Sequence, residues 1–348
     1  MTVRRLFLLF LSLPLAGCYT VRQALHQNDL FNSRRPVDEV VTDQTTSAKT
    51  REGLAEVKDV LHYAAVKGLN VEGAYGYYID SGQPVVSYTV QAAYSDRLQF
   101  VTWWFPVIGR VPYLGFFEKS ERDAKAAALR ADGYDVAEGA AGAFSSLGWF
   151  DDPIFSSMLN RDQAALAHLF FHELTHRTLW VPGSTEFNEN LAEYVATVMT
   201  EQYLKDLGRP AQLAKYEARR RDRARLFTWL KGLKGALTTL YAQAGQITPS
   251  VLLARKQDVF ARYTHAPLKP TFERTDLVAT ETWNNASVLG EELYMPDFAR
   301  FARARRCLGD APVRAFLDEL GRRSKTADSG FAALDSMCDG QKAYSRVD

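Results

Sequence analysis

Charge of one sign is the first thing this sequence lacks. Its 42 lysines and arginines face 41 aspartates and glutamates across 348 residues, which excludes a broad electrostatic field for nucleic acid or an anionic membrane. Internal repeats and low-complexity tracts are also missing. A composition of 47% hydrophobic and 24% charged residues is that of an ordinary globular protein of one large or two modest domains. The apolar run LFLLFLSLPL near the start is too short to span a bilayer comfortably. Cysteine occurs three times and histidine six times, so each can be weighed singly.

The first residues stand apart from the core. MTVRR is basic, LFLLFLSLPL is apolar, and LAGC ends in a cysteine after small residues. The segment resembles a bacterial lipoprotein signal. That resemblance implies that residues 1–17 are removed and that Cys18 becomes a lipidated first residue. Because Tyr19 rather than aspartate follows, it also implies the outer membrane, facing the periplasm. An ordinary secretory peptide is the alternative. Loss of Arg4 and Arg5 leaves 40 basic against 41 acidic residues. With Cys18 assigned to lipid, Cys307 and Cys338 remain, in a compartment where disulfides persist. A bond between them is expected, worth roughly 3–4 kcal/mol in the chain-entropy model. Two unpaired buried cysteines are the alternative.

Residues 18–45 are polar and mixed and read as a tether, leaving 46–348 as the body. A helix is expected over about 46–67, where Leu54, Val57, Val60 and Leu61 fall at helical spacing before Gly68. From about 74 to 117 the texture is β-branched and aromatic, broken by Gly and Pro: YGYYID, PVVSYTVQAAYS, LQFVTWWFPVIG, RVPYLGFF. This predicts a small antiparallel sheet. A helix over about 120–133 and a Gly/Ala-rich run to Pro153 follow. Nearly continuous helix comes next, with segments at about 208–244, 249–262, 291–306 and 310–322. The expected fold class is α+β, a sheet-rich part over about 70–155 beside a predominantly helical part over about 156–348.

One histidine pair carries chemistry. In FFHELTHRT, His172 and His176 stand four apart, so on a helix they share a face and can share one ion. Leu166, Leu169, Phe170 and Leu174 give the segment its apolar helical stripe. Glu173 points about 100° around the axis, beside that ion rather than on it. This is the H-E-x-x-H arrangement. Two neutral imidazoles bind zinc, one ion per chain, and the glutamate takes the proton of a zinc-bound water as it attacks a polarised carbonyl. A metzincin would need Gly at 179 and His at 182, where Leu179 and Pro182 stand. Instead Pro182 and Gly183 break the helix, Ser184 or Thr185 can cap another, and FNENLAEYVATVM continues it. The resulting hairpin can bring Glu189 opposite the histidines as third ligand, with Glu193 as the alternative. His26, His62, His168 and His265 read as ordinary core or surface residues, and Glu186 as a first-turn acid complementing the helix dipole. EARRRDRARLFTWLKGLK reads as the solvated face of a long helix, and WWFPVIGRVPYLGFF as buried sheet and pocket wall.

Asn188-Glu189-x-x-Ala192 resembles the NExxA element of the gluzincins, in which that glutamate binds zinc. Glu193 falls where thermolysin-like enzymes carry a carboxylate that orients a zinc histidine. The connection between the two elements is shorter here. Over most of the mature chain the sequence is similar to a family of predicted bacterial aminopeptidases, lipoproteins with a gluzincin-like zinc motif. The likeness lies in CYTVRQA, WWFPVIGRVPYLGFF, GYDV, FSSLGWFDDP, FHELTH with FNENLAEYVA, and WNNASVLGEELY. Where WCFP would be expected, Trp103-Trp104-Phe105-Pro106 stands, so that extra cysteine is absent. The resemblance implies a zinc peptidase on the periplasmic side, taking peptide or protein substrates by preference at free amino termini. Gluzincins often supply a Tyr or His from their helical C-terminal part to the tetrahedral oxyanion, which makes Tyr294 the candidate donor. Asn284 and Asn285 could bind substrate backbone or cap a helix. Residues 142–145, Gly-Ala-Phe-Ser, could form an edge strand that pairs with a peptide. An envelope endopeptidase acting on misfolded proteins and a non-catalytic zinc-containing binding or assembly lipoprotein are the rival readings.

Overall fold

The computed structural model describes residues 31–105, 109–141, 151–265, 268, 282–295 and 297–339; the leader, Cys18, His26 and residues 142–145 lie outside that set. Within it the fold is α+β, as expected, with small sheets beside a helical body. Strand β1 (Arg35–Pro36) and helix α1 (Val37–Thr42) precede the body expected from residue 46. Val37 and Val40 enter the same core as Leu54, Val57 and Val60 of helix α2 (Ala48–Val66), which is why this part of the tether is ordered on the body. The side chain of Ser47 accepts from Thr50 N to start α2, and its buried Leu54, Val57, Val60 and Ala64 form one stripe three or four residues apart.

The sheet region is three small sheets rather than one. Strand β2 (Tyr77–Ile79) pairs antiparallel with β1. Strands β3 (Ser87–Ala93), β6 (Tyr113–Phe116) and β7 (Asp135–Ala141) form an antiparallel sheet in the order β6-β3-β7, with Gln91 opposite Tyr113 and Ala93 opposite Asp135. Strands β4 (Trp103–Phe105) and β5 (Gly109–Val111) make a separate pair, and strand β8 (Ile154–Phe155) runs parallel to β2. Alternation decides what is buried: Trp103 and Phe105 pack toward the β3 sheet, whereas Trp104 is exposed. Helix α3 (Lys119–Ala131) covers that sheet with Ala126 and Leu129.

Helix α4 (Gln163–Thr178) begins at Asp162, whose carboxylate accepts from Ala165 N, and helix α5 (Thr185–Asp206) returns against it. Helices α6 (Pro210–Tyr241) and α7 (Pro249–Thr264) follow. The single helix expected over 291–306 is two, α8 (Asn285–Leu293) and α9 (Phe298–Cys307). Asn284 and Asp297 each accept from backbone N–H groups of a new first turn, which sets the break. Helices α10 (Val313–Ser324) and α11 (Gly330–Ser336) complete the body. Phe170, Phe171, Phe187, Phe301 and Phe316 join these helices in one core, and a disulfide joins Cys307 to Cys338. Among the described residues no helix is long and apolar enough to cross a membrane.

Candidate metal centre

The site is made by the turn between α4 and α5. The α4 helix ends with Leu179 N donating to the Thr175 carbonyl, and Gly183 takes a φ of +73° that suits glycine. Ser184 sits at the N-cap of α5 without a side-chain cap bond. The loop is instead closed from inside the helix: Asn188 Oδ1 accepts from Val181 N at 2.9 Å and Asn188 Nδ2 donates to Val181 O at 2.8 Å. This buried clamp fixes the rotation of α5, and with it the face that carries Glu189.

Three donor atoms converge there. His172 Nε2 and His176 Nε2 are 3.2 Å apart, and Glu189 Oε2 lies 3.3 Å from the first and 3.6 Å from the second. A tetrahedral ion about 2.0–2.1 Å from each ligand requires donor separations of about 3.3–3.4 Å, so the residues fit a metal of that geometry. A second group, His168, His172 and Glu193, could also hold a metal, but it would draw on His172 Nδ1. If Nε2 takes the ion, Nδ1 carries the proton and faces Glu193 Oε2 at 3.6 Å. Glu193 therefore serves better as the carboxylate that orients His172. It is itself held by His168 Nε2 at 3.1 Å and lies 3.9 Å from Arg223 Nε, while His168 Nδ1 is 2.7 Å from the Tyr216 hydroxyl. His168 thus belongs to the support of the site rather than to ordinary core or surface. His176 is held differently, with Nδ1 unpartnered among the described residues and its ring edge-on to Trp180 at 5.4 Å.

Electrostatics follow from this crowding. Burial works against charge on His172, yet the hydrogen bonds and charges of Glu189 and Glu193 push its pKa up to about 10. Burial likewise opposes ionisation of Glu189, but His176 and His172 hold its carboxyl well below the usual range. Glu173 is half-buried. Its burial pushes the carboxyl up, against the pull of His172 and His176.

Tyr294 reaches the same place. Burial and then the charge of Glu189 hold its phenol well above the ordinary value, with Tyr113, Glu173 and Glu193 adding to the effect. Asn190 Nδ2 donates to the Leu293 carbonyl at 2.9 Å and Arg223 Nη2 to the Tyr294 carbonyl at 2.8 Å, so α5 and α6 both fix this end of α8. Asn284 and Asn285 are engaged elsewhere. Asn284 caps α8 and donates to Val136 O, and Asn285 links Tyr241, Tyr94 and the Asp135 carboxylate. Their hydrogen-bonding capacity holds α8 to the β3 sheet.

A sequence model of the family described as Putative aminopeptidase matches residues 18–328. The chain belongs to this aminopeptidase family. No curated protein and no solved structure matches it. The match covers every residue of the metal centre. In this family member, Tyr113 carries no individual signal in the sequence. It sits on β6 opposite Gln91, and burial followed by the charges of Glu189 and Glu173 raises its phenol well above the usual pKa. A β-carbon at Gly290 would run into Oε1 of Gln91, so glycine lets α8 dock on β3. Asp152 and Arg177 were missed as well. They form a buried ion pair of 2.9 Å one residue beyond His176, and Arg177 Nη2 also donates to Glu72 O at 2.7 Å. An arginine directly after His176, on a helix with an apolar stripe, was the one available signal.

Proposed function

We propose that this chain is a zinc-dependent peptidase of the cell envelope, held by a lipid on Cys18 at the outer membrane facing the periplasm, that trims peptides from free amino termini. The observation that carries the catalytic part is the convergence of two imidazole nitrogens and one carboxylate oxygen at 3.2–3.6 Å, with Glu173 beside them. His172, His176 and Glu189 would hold one zinc ion per chain, and three protein ligands are the number typical of catalytic sites. When bound, zinc supplies a Lewis acid that acidifies water and polarises the scissile carbonyl. The Glu173 carboxylate takes the proton of the attacking water and passes it to the departing amine, a role helped by the burial that raises its pKa. Tyr294 and Tyr113 keep their phenolic protons for the same reason and can donate to the oxygen that gains charge as the carbonyl becomes tetrahedral. Glu193 holds His172 in the orientation that presents Nε2. Family membership supports a peptide substrate and amino-terminal trimming, and the resemblance of residues 1–18 to a lipoprotein signal supports the anchor and compartment.

The test uses protein beginning at Tyr19. Wild type and Glu173→Gln should each carry about one zinc, and His172→Ala should carry none. Against a peptide library read by mass spectrometry, wild type should remove amino-terminal residues while Glu173→Gln is slower by about 10²–10⁴-fold. Internal cuts would replace the exopeptidase by an endopeptidase. Zinc without cleavage would favour a binding lipoprotein, and absence of zinc from wild type would remove the site.

A further inference from the structure

Glu193 is gripped from one face of α6, a helix that carries none of the three metal donors. Tyr216 and Arg223 stand seven residues apart on that helix, so they share a face. Arg223 Nε lies 3.9 Å from Glu193 Oε1. The Tyr216 hydroxyl lies 2.7 Å from Nδ1 of His168, whose Nε2 is 3.1 Å from Glu193 Oε2. That same Oε2 faces His172 Nδ1 at 3.6 Å. Each carboxylate oxygen thus has its own neighbours, which fixes the rotation of the group beside His172. The rings of His168 and Tyr216 also pack together, with centroids 5.9 Å apart.

Proton counting gives these contacts a direction. An ionised carboxylate only accepts hydrogen bonds, so the bond to Glu193 needs a proton on His168 Nε2. In the neutral ring that leaves Nδ1 as an acceptor, and the Tyr216 hydroxyl is the donor in reach of it. Burial holds this phenol above its ordinary pKa, so its proton is there to donate. A doubly protonated ring would instead make the phenol an acceptor and leave its proton only Thr197 Oγ1, at the long distance of 3.5 Å. With the neutral ring, both nitrogens of His168 are spent. The second group of possible metal donors, His168, His172 and Glu193, then has no free nitrogen on His168. Phenylalanine would satisfy the ring contact, and only the hydroxyl sets the proton.

Resting on the peptidase reading above, we infer that Tyr216 is a positioning residue for the metal centre, its hydroxyl donating to His168 Nδ1 so that the ring proton stays on Nε2 and keeps Glu193 aimed at His172. One phenol outside the ligand set thereby decides how the support of His172 is hydrogen-bonded. It also holds the centre to a single ion.

The experiment compares wild type with Tyr216→Phe in the full chain, by ring-nitrogen NMR of labelled histidine and by zinc competition with a chelator. His168→Gln identifies the His168 signals. Wild type should show a neutral His168 with its proton on Nε2 and should bind about one zinc per chain. Tyr216→Phe keeps the ring contact, so it should lose that single tautomer and weaken zinc on the order of 10-fold. A general loss of packing would lower Tm without changing the tautomer. A charged wild-type ring, or a proton on Nδ1, would overturn the assignment. So would two zinc ions per chain in wild type, or an unchanged tautomer and zinc affinity in Tyr216→Phe. If Tyr216→Phe does not fold, the wild-type spectrum still decides the direction of the bonds. If wild type cleaves no peptide, the peptidase reading fails on its own, and the spectrum and the zinc competition still decide the role of Tyr216.

Discussion

Asn188→Ala separates the geometry of the hairpin from the identity of its ligands, because Asn188 holds the loop and not the metal. The residue is 1% exposed and spends both ends of its amide on Val181, at 2.9 and 2.8 Å. Truncation strands one backbone donor and one acceptor in a buried turn. Each stranded group costs about 1–3 kcal/mol, so the loss should be about 2–6 kcal/mol. At about 2 °C per kcal/mol for a chain of this size, Tm falls by about 4–12 °C. The same change frees the turn that sets which face of α5 meets the histidines. Zinc held by Glu189 should then weaken by about 10–100-fold in a chelator competition, the range seen when a ligand loses its support. Asn188→Asp is the control. It keeps size and an acceptor for Val181 N but sets a carboxylate oxygen against Val181 O, so it should be no milder than alanine. An alanine variant that melts within about 1 °C of wild type and keeps wild-type zinc affinity would show that this clamp does not orient Glu189.

Two further expectations concern protons and the buried ion pair. Burial opposes charge on His172, but Glu189 and Glu193 push its pKa up to about 10, so the metal-free protein carries a proton there at neutral pH. A metal needs the neutral imidazole, so binding must expel that proton, and apparent zinc affinity should rise about tenfold per pH unit between about pH 7 and 9. Calorimetry in buffers of different ionisation heat reads the released proton, and a flat response would refute a charged His172. Asp152→Ala leaves the Arg177 guanidinium buried with one of its partners removed and should cost about 3–5 kcal/mol in denaturant unfolding. Asp152→Asn should cost less because an acceptor remains, and a loss below about 1 kcal/mol in the alanine variant would deny the pair a structural role.

The candidate cluster is legible in the sequence because it is local. His172, Glu173 and His176 lie within two turns of one helix, and Glu189 and Glu193 follow across a six-residue connection, so helical geometry alone gives all five their faces. Illegible were residues whose role depends on chain far away. Tyr113 reads as any alternating strand residue until the fold sets its phenol within reach of the charges of Glu189 and Glu173. Arg223 lies in a charge run with Arg219 and Arg220, whose carboxylate partners are Asp162 and Glu201. Only the fold distinguishes the arginine that reaches Glu193 and the Tyr294 carbonyl. The helix expected over 291–306 failed for a related reason, since the break depends on two short caps and not on any change in apolar content.

These distant residues explain why a two-helix motif sits in a chain of this length. A metal could be held by α4 and α5 alone, but the two phenols proposed as donors to a developing oxyanion come from β6 and from the end of α8. Each is a phenol whose proton is retained by burial beside the same two glutamates. Asn190 ties α8 to α5, Arg223 ties it to α6, and Asn284 and Asn285 tie it to the β3 sheet. The small sheet thus anchors α8, which ends at Tyr294, while its own strand β6 carries Tyr113. Substitutions along those ties should lower turnover while leaving metal content intact, because they move donors relative to a centre that α4 and α5 hold without them.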